Sequence, residues 1–297
     1  MKTTLAPPGR LARRHRRLLI GLAVLGALLY AAAWWGRTWQ IAREDERLDR
    51  LIAGIGARGV LLESGRTRYS FYPPSRNWHL SFPAGATPEA LAPLASVPPN
   101  ATLSLDLSAS GLTDAGLAHL RGVAAIDHLN LGNRLYSRLG GVPNQITGAG
   151  LAHLTGLDAL NHLDLSDLGL TDDALARLPP MSKVYALSIA GNAIRGPGLR
   201  ALAGHPSLMS LDLSGNPLTD AGLAELPTLN LYQLNLDRTH ITPGGLATLS
   251  THKRLTQVTI EQGQFSPADV DAVKAAGYRF VLTQTPKPPP APVTPMP

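Results

Sequence analysis

The 297-residue sequence contains no cysteine. That absence excludes disulfides, thiolate metal sites and a cysteine nucleophile. Aromatic residues make up only 5% of the chain, so the core must be aliphatic. The formal charge of +6 would suggest a nucleic-acid partner, but Lys2, Arg10, Arg13, Arg14, Arg16 and Arg17 stand among the first 35 residues without one acid. From residue 36 onward, 21 basic residues balance 21 acidic ones, and a neutral body implies no nucleic-acid partner. A Gly-x-Ser-x-Gly elbow, a P-loop, a metalloprotease helix and paired catalytic carboxylates are also missing. No cofactor, metal or catalytic residue is implied, and the chain reads as a non-enzyme.

What is present is a repeat. With the first leucine of a Leu-x-Leu core as origin, copies fall at Leu105, Leu129, Leu163, Leu187, Leu211, Leu234 and Val258, at intervals of 24, 34, 24, 24, 23 and 24. A second mark keeps step at Leu112, Ile146, Leu170, Ile194, Leu218, Ile241 and Phe265. Each unit predicts a short strand with its leucines on one face, then a helix capped by Thr113, Thr147, Thr171, Thr219, Thr242 or Ser266. Leucines four and seven residues past the cap, such as Leu223 and Leu226, turn inward to meet the strand. A small residue precedes the first of them, glycine in most copies and Ala174 in one, and lets the helix backbone approach closely. Leu80, Phe82, Leu91 and Leu94 form a degenerate first unit, and Ser266-Pro267-Ala268-Asp269 opens a terminal one, with a last strand over Tyr278 to Leu282.

The copy at Ser207 to Leu229 carries Leu-x-x-Leu-x-Leu-x-x-Asn-x-Leu-Thr-Asp-x-Gly-Leu. It resembles the leucine-rich repeat family in its ribonuclease-inhibitor-like branch. The resemblance implies an α/β fold, a right-handed solenoid with a parallel sheet on the concave face and short helices on the convex face. It also implies that Asn144, Asn192 and Asn216 hydrogen-bond the backbone of adjacent coils, an incomplete ladder, since Ser110, Leu168, Thr239 and Gly263 stand at that position elsewhere. The missing cysteine removes the ubiquitin ligases that ride on such repeats.

Leu18 to Trp35 lacks charge and proline. At 1.5 Å per residue it spans about 27 Å, enough to cross a bilayer's hydrocarbon. Tyr30, Trp34 and Trp35 suit the headgroup level, and the arginines before the segment keep the N-terminus in the cytoplasm. The expected organisation is a basic cytoplasmic segment (1–17), a transmembrane helix or uncleaved signal anchor (18–35) and a juxtamembrane helix with a hairpin of Val60 to Leu62 and Thr67 to Phe71 (36–77). The repeat domain (78–283) and a Pro-rich unpacked tail (284–297) follow. The competing reading is a signal cleaved near Ala33.

The open sheet positions read small, polar and mildly acidic, and without long aromatic anchors. The candidate partner-binding residues are Asp106, Asp164, Asp212 and Asp237, the paired His128 and His162, and Arg134, Tyr136 and Arg138 of the ten-residue insertion. His128 and His162 occupy equal positions in consecutive coils, so they should stand about 5 Å apart. The expected function is a single-pass protein of the bacterial cytoplasmic membrane whose periplasmic or extracellular repeats bind a protein or other macromolecule. The alternatives are a secreted effector or adhesin, and a hydrolase using the His128/His162 patch.

Overall fold

The computed structural model describes residues 30–36, 39, 43, 46, 58–60, 77–82, 84–85, 88–97, 101–134, 141–275 and 281–285. The chain divides into two compact units, residues 1–50 with 71–73, and residues 51–70 with 74–297. In the first, residues 30–36 are helical, as are Trp39, Arg43 and Glu46. Tyr30, Trp34, Trp35 and Trp39 are exposed, and the Arg43 guanidinium lies 4.4 Å from the Trp39 ring centroid. Most of the apolar segment and of the expected juxtamembrane helix lies outside the described residues. Among those described, no helix is long and apolar enough to cross a membrane.

The second unit is a ten-stranded sheet in sequence order. Strand β1 (Arg58–Val60) pairs antiparallel with β2 (Asn77–Ser81). The other strands follow in parallel, namely β3 (Thr102–Asp106), β4 (Ile126–Asn130), β5 (His162–Asp164), β6 (Ala186–Ser188), β7 (Ser210–Asp212), β8 (Gln233–Asn235), β9 (Gln257–Glu261) and β10 (Val281–Thr285). The register joins Leu80, Leu105, Leu129, Leu163, Leu187, Leu211, Leu234 and Val258 as neighbours on successive rungs. Nine parallel rungs at about 4.8 Å make a sheet about 38 Å long.

Two terminal expectations shift. Val60 pairs with β2, while Thr67 to Phe71 lies outside the described residues. The last strand runs to Thr285, past the start expected for the Pro-rich tail, because β9 is long enough to pair it as far as Glu261.

The convex side is tighter than a run of ordinary helices. Most coils make a single α-turn, such as Asp114–Leu117 or Asp220–Leu223, or a 3-10 segment, such as Pro197–Gly204, and the last carries a nine-residue α-helix, Pro267–Ala275. The paired leucines of these turns are buried in every coil against the strand leucines, as expected. Caps vary. The Thr147, Thr171 and Thr219 hydroxyls accept from Ala149, Ala174 and Gly222 N–H groups. Thr113 has the extended backbone of a cap without the side-chain bond, and the Thr242 hydroxyl is drawn instead to Asp220, to which it donates at 2.6 Å. Ser266 and Asp269 exchange bonds as a capping box.

The acid after the cap threonine joins coils. Asp114 accepts from Thr147 N and Oγ1, Asp172 from Arg195, Gly196 and Gly198 N–H groups, and Asp220 from Thr242 N and Oγ1. A Cβ on the facing glycine would collide with that acid, 2.1 Å from Asp114 Oδ1 at Gly150 and 2.0 Å from Asp220 Oδ1 at Gly245. Ala174 fits because the residue facing it is Gly148.

The asparagine positions behave as expected. Asn192 Oδ1 accepts from Leu168 and Leu170 N–H groups while its Nδ2 donates to Leu165 and Ile189 carbonyls. Asn144 and Asn216 span their coils in the same way. In coils lacking asparagine, the Ser110 and Thr239 hydroxyls turn back to their own coil's carbonyls, Leu107 and Leu236.

Candidate functional site: a groove across the open sheet face

Side chains flanking each inward strand leucine point to the open face, where they line a groove of about 380 Å³ across β2 to β7. One column is imidazole-rich, since the register aligns His79, Ser104, His128 and His162. Two residues further along each strand, Asp106, Asn130, Asp164, Ser188, Asp212 and Asn235 form a second column.

The His128 and His162 rings stack, with centroids 4.1 Å apart and planes 16° from parallel. Asp127 stands at a register irregularity between β3 and β4, where Leu103 faces Ile126 but Ser104 faces His128. Its carboxylate holds His128 Nδ1 at 2.9 Å. Burial lowers the pKa of His162, the neighbouring His128 lowers it further, and Asp127 opposes. His162 is therefore neutral at neutral pH.

The carboxylates are positioned by the turns that follow the strands. Asp106, Asp164 and Asp212 each accept, through Oδ1, the N–H two residues on, at Ser108, Ser166 and Ser214. Arg134, just past β4, reaches across the face to place Nη1 3.7 Å from Asp212 Oδ2. It also faces Asp167, whose pKa is raised by burial, lowered by Arg134, raised by Asp164 and lowered by Arg238. The base of the insertion is pinned by reciprocal bonds between Asn133 and Asn144. Tyr136 and Arg138 lie outside the described residues. Asp237 stands two residues past β8, one column away from the other aspartates, with its N–H on Asn235 Oδ1.

The open face does carry aromatic anchors, which corrects the expectation. Tyr185, Met209 and Tyr232, at equal positions on three consecutive coils, are 40%, 40% and 42% exposed. Their position would alternate inward in a regular strand, but the strands bend there. Tyr185 and Ala186 N–H groups both donate to Asn161 O, Met209 and Ser210 both to Tyr185 O, and Tyr232 and Gln233 both to Met209 O. Two donors on one carbonyl make a bulge, which turns the extra side chain out. Tyr185 then meets His162 edge-on at 4.3 Å, extending the stacked imidazoles into a ridge. The signal was in the sequence two residues before the origin leucine, at Leu187, Leu211 and Leu234, one place outside the strand positions considered.

As chemistry, the groove holds only fragments of a hydrolytic site. Ser104 Oγ meets His79 Nδ1 at 3.0 Å, whereas the imidazole oriented by a carboxylate is His128, a rung away. Nucleophile, base and orienting acid are not joined among the described residues. No group of three metal-ligating side chains occurs among them either.

Strand, turn and helix stacked in register for coil after coil make an α/β solenoid, and the architecture fits that of leucine-rich repeats. A leucine-rich repeat family model matches residues 204–226, the coil closest to the full repeat pattern. Among curated proteins none matches the chain. Among solved structures, the crystal structure of the APL1 leucine-rich repeat domain is similar at 11% identity and a TM-score of 0.28, covering 64% of this chain and 67% of that one.

Proposed function

We propose that this chain is a membrane-anchored, extracytoplasmic binding module, of the ribonuclease-inhibitor-like branch and placed in a bacterial envelope, which holds a protein partner on its open sheet face. One observation carries the binding claim. Tyr185, Met209 and Tyr232 stand out as an exposed ridge beside a polar groove, and tyrosine is a residue type that concentrates binding energy. Arg134, at the base of the insertion, borders the same groove. Anchoring rests on the sequence from Leu18 to Trp35 with its preceding arginines. The exposed rings of Tyr30, Trp34, Trp35 and Trp39 support it, because such rings favour the membrane interface.

The test is capture from detergent-solubilised membranes with the full chain as bait, comparing wild type with Tyr185→Ser/Tyr232→Ser and with residues 134–142 deleted. The ridge variant should lose the partner, and the deletion should change capture. Equal capture by wild type and the ridge variant would remove the sheet face from the account. Intact mass of the membrane-extracted protein tests the anchor, since loss of the first 33 residues would contradict it.

A further inference from the structure

The open face has a spacing as well as a polarity. Its carboxylates occupy every second rung, Asp106 on β3, Asp164 on β5 and Asp212 on β7, with Asn130 and Ser188 between them. At one rung per 4.8 Å the acids recur about every 9.6 Å. The two ridge tyrosines are also two rungs apart, on the coils of β6 and β8. A polyproline II segment rises 3.1 Å per residue and repeats every third, so side chains on one of its edges recur about every 9.3 Å. An extended β-strand cannot match this, because its third residue points to the opposite face.

Charge selects the occupant's side chains. Among the described residues no lysine or arginine lines the groove floor, and the guanidinium that reaches it, from Arg134, settles against Asp212. On the far side of the imidazole column from the acids, the Tyr185 and Tyr232 rings offer flat faces for the apolar stems and the guanidinium planes of arginine.

We propose that the groove receives a partner's polyproline II segment bearing a basic side chain at every third residue, laid across β3 to β8 with its cations on Asp106, Asp164 and Asp212. This rests on the sheet face being the binding surface. Arg134 then competes with the cation that reaches Asp212, and its removal strengthens binding.

Fluorescence anisotropy with the full chain and two labelled synthetic peptides of equal composition tests the proposal. One peptide carries arginines at positions 1, 4 and 7 with proline pairs between them, and the other has the three arginines adjacent. The spaced peptide should bind about tenfold more tightly. Asp164→Asn/Asp212→Asn, which keeps the acceptors for Ser166 and Ser214, should cost about tenfold for that peptide alone, and Arg134→Ala should gain a few-fold. Equal affinity for the two peptides, or no change in the double variant, would overturn the proposal. If the spaced peptide fails while the ridge variant still loses its captured partner, this ligand chemistry is wrong and the binding face stands. If the ridge variant also captures normally, the binding face itself is overturned.

Discussion

Asp114 and Gly150, one coil apart, share a single space: the Asp114 carboxylate holds Thr147 N and Oγ1 at 2.8 and 2.5 Å, and a Cβ on Gly150 would stand 2.1 Å from Oδ1. One coil later the roles are exchanged, with Gly148 in the acid's place and Ala174 in the glycine's. The two positions form one steric unit. Gly150→Ala should therefore cost about 1–3 kcal/mol by overpacking, and adding Asp114→Gly should return part of that loss by emptying the shared space. Urea denaturation of the single and double variants measures the coupling. Strict additivity would show that the pair is not a unit.

Asn192 is buried and binds five backbone groups on two coils. Asn192→Ala leaves the Leu168 and Leu170 N–H groups without their acceptor, a loss of about 1–3 kcal/mol for each group stranded in the interior. Hydrogen exchange at those two amides should accelerate more than at the Leu213 amide, which bonds Asn235 O further along the array. Uniform acceleration along the array would contradict a local role.

Acid should weaken the fold through three histidines. His162, His205 and His252 have their pKa lowered, in each case first by burial. The folded chain binds fewer protons than the unfolded chain between those lowered values and the usual 6.5. Stability from these groups is complete above the unfolded value and is lost as pH falls through it. Tm should be flat from about pH 8 to about pH 7 and decline below. Because His205 is only 1% exposed, His205→Leu should flatten that decline, and an unchanged slope would exclude it as a contributor.

The coil was legible because its signal is periodic. Leucines at fixed offsets from Leu211 set which side chains go inward, and the register followed. The groove was half legible, since His128, His162, Asp106, Asp164 and Asp212 come together as their equal repeat positions require. Tyr185 and Tyr232 were missed because strand alternation assigns them inward, and only the shared carbonyls of Asn161 and Met209 reveal the bend that turns them out. The reach of Arg134 over three rungs to Asp212 depends on a long side chain leaving an insertion, which no repeat period encodes. The reason for Ala174 lay in Gly148, a coil away, so it could not be read from its own unit.

Photocrosslinking from the full chain in membranes tests the central claim most directly. A benzophenone side chain replaces Tyr232 on the open face in one variant and the exposed Ala224 on the convex face in another. The account predicts a discrete crosslinked protein band from position 232 and none from position 224. Crosslinking from 224 with none from 232 would contradict it.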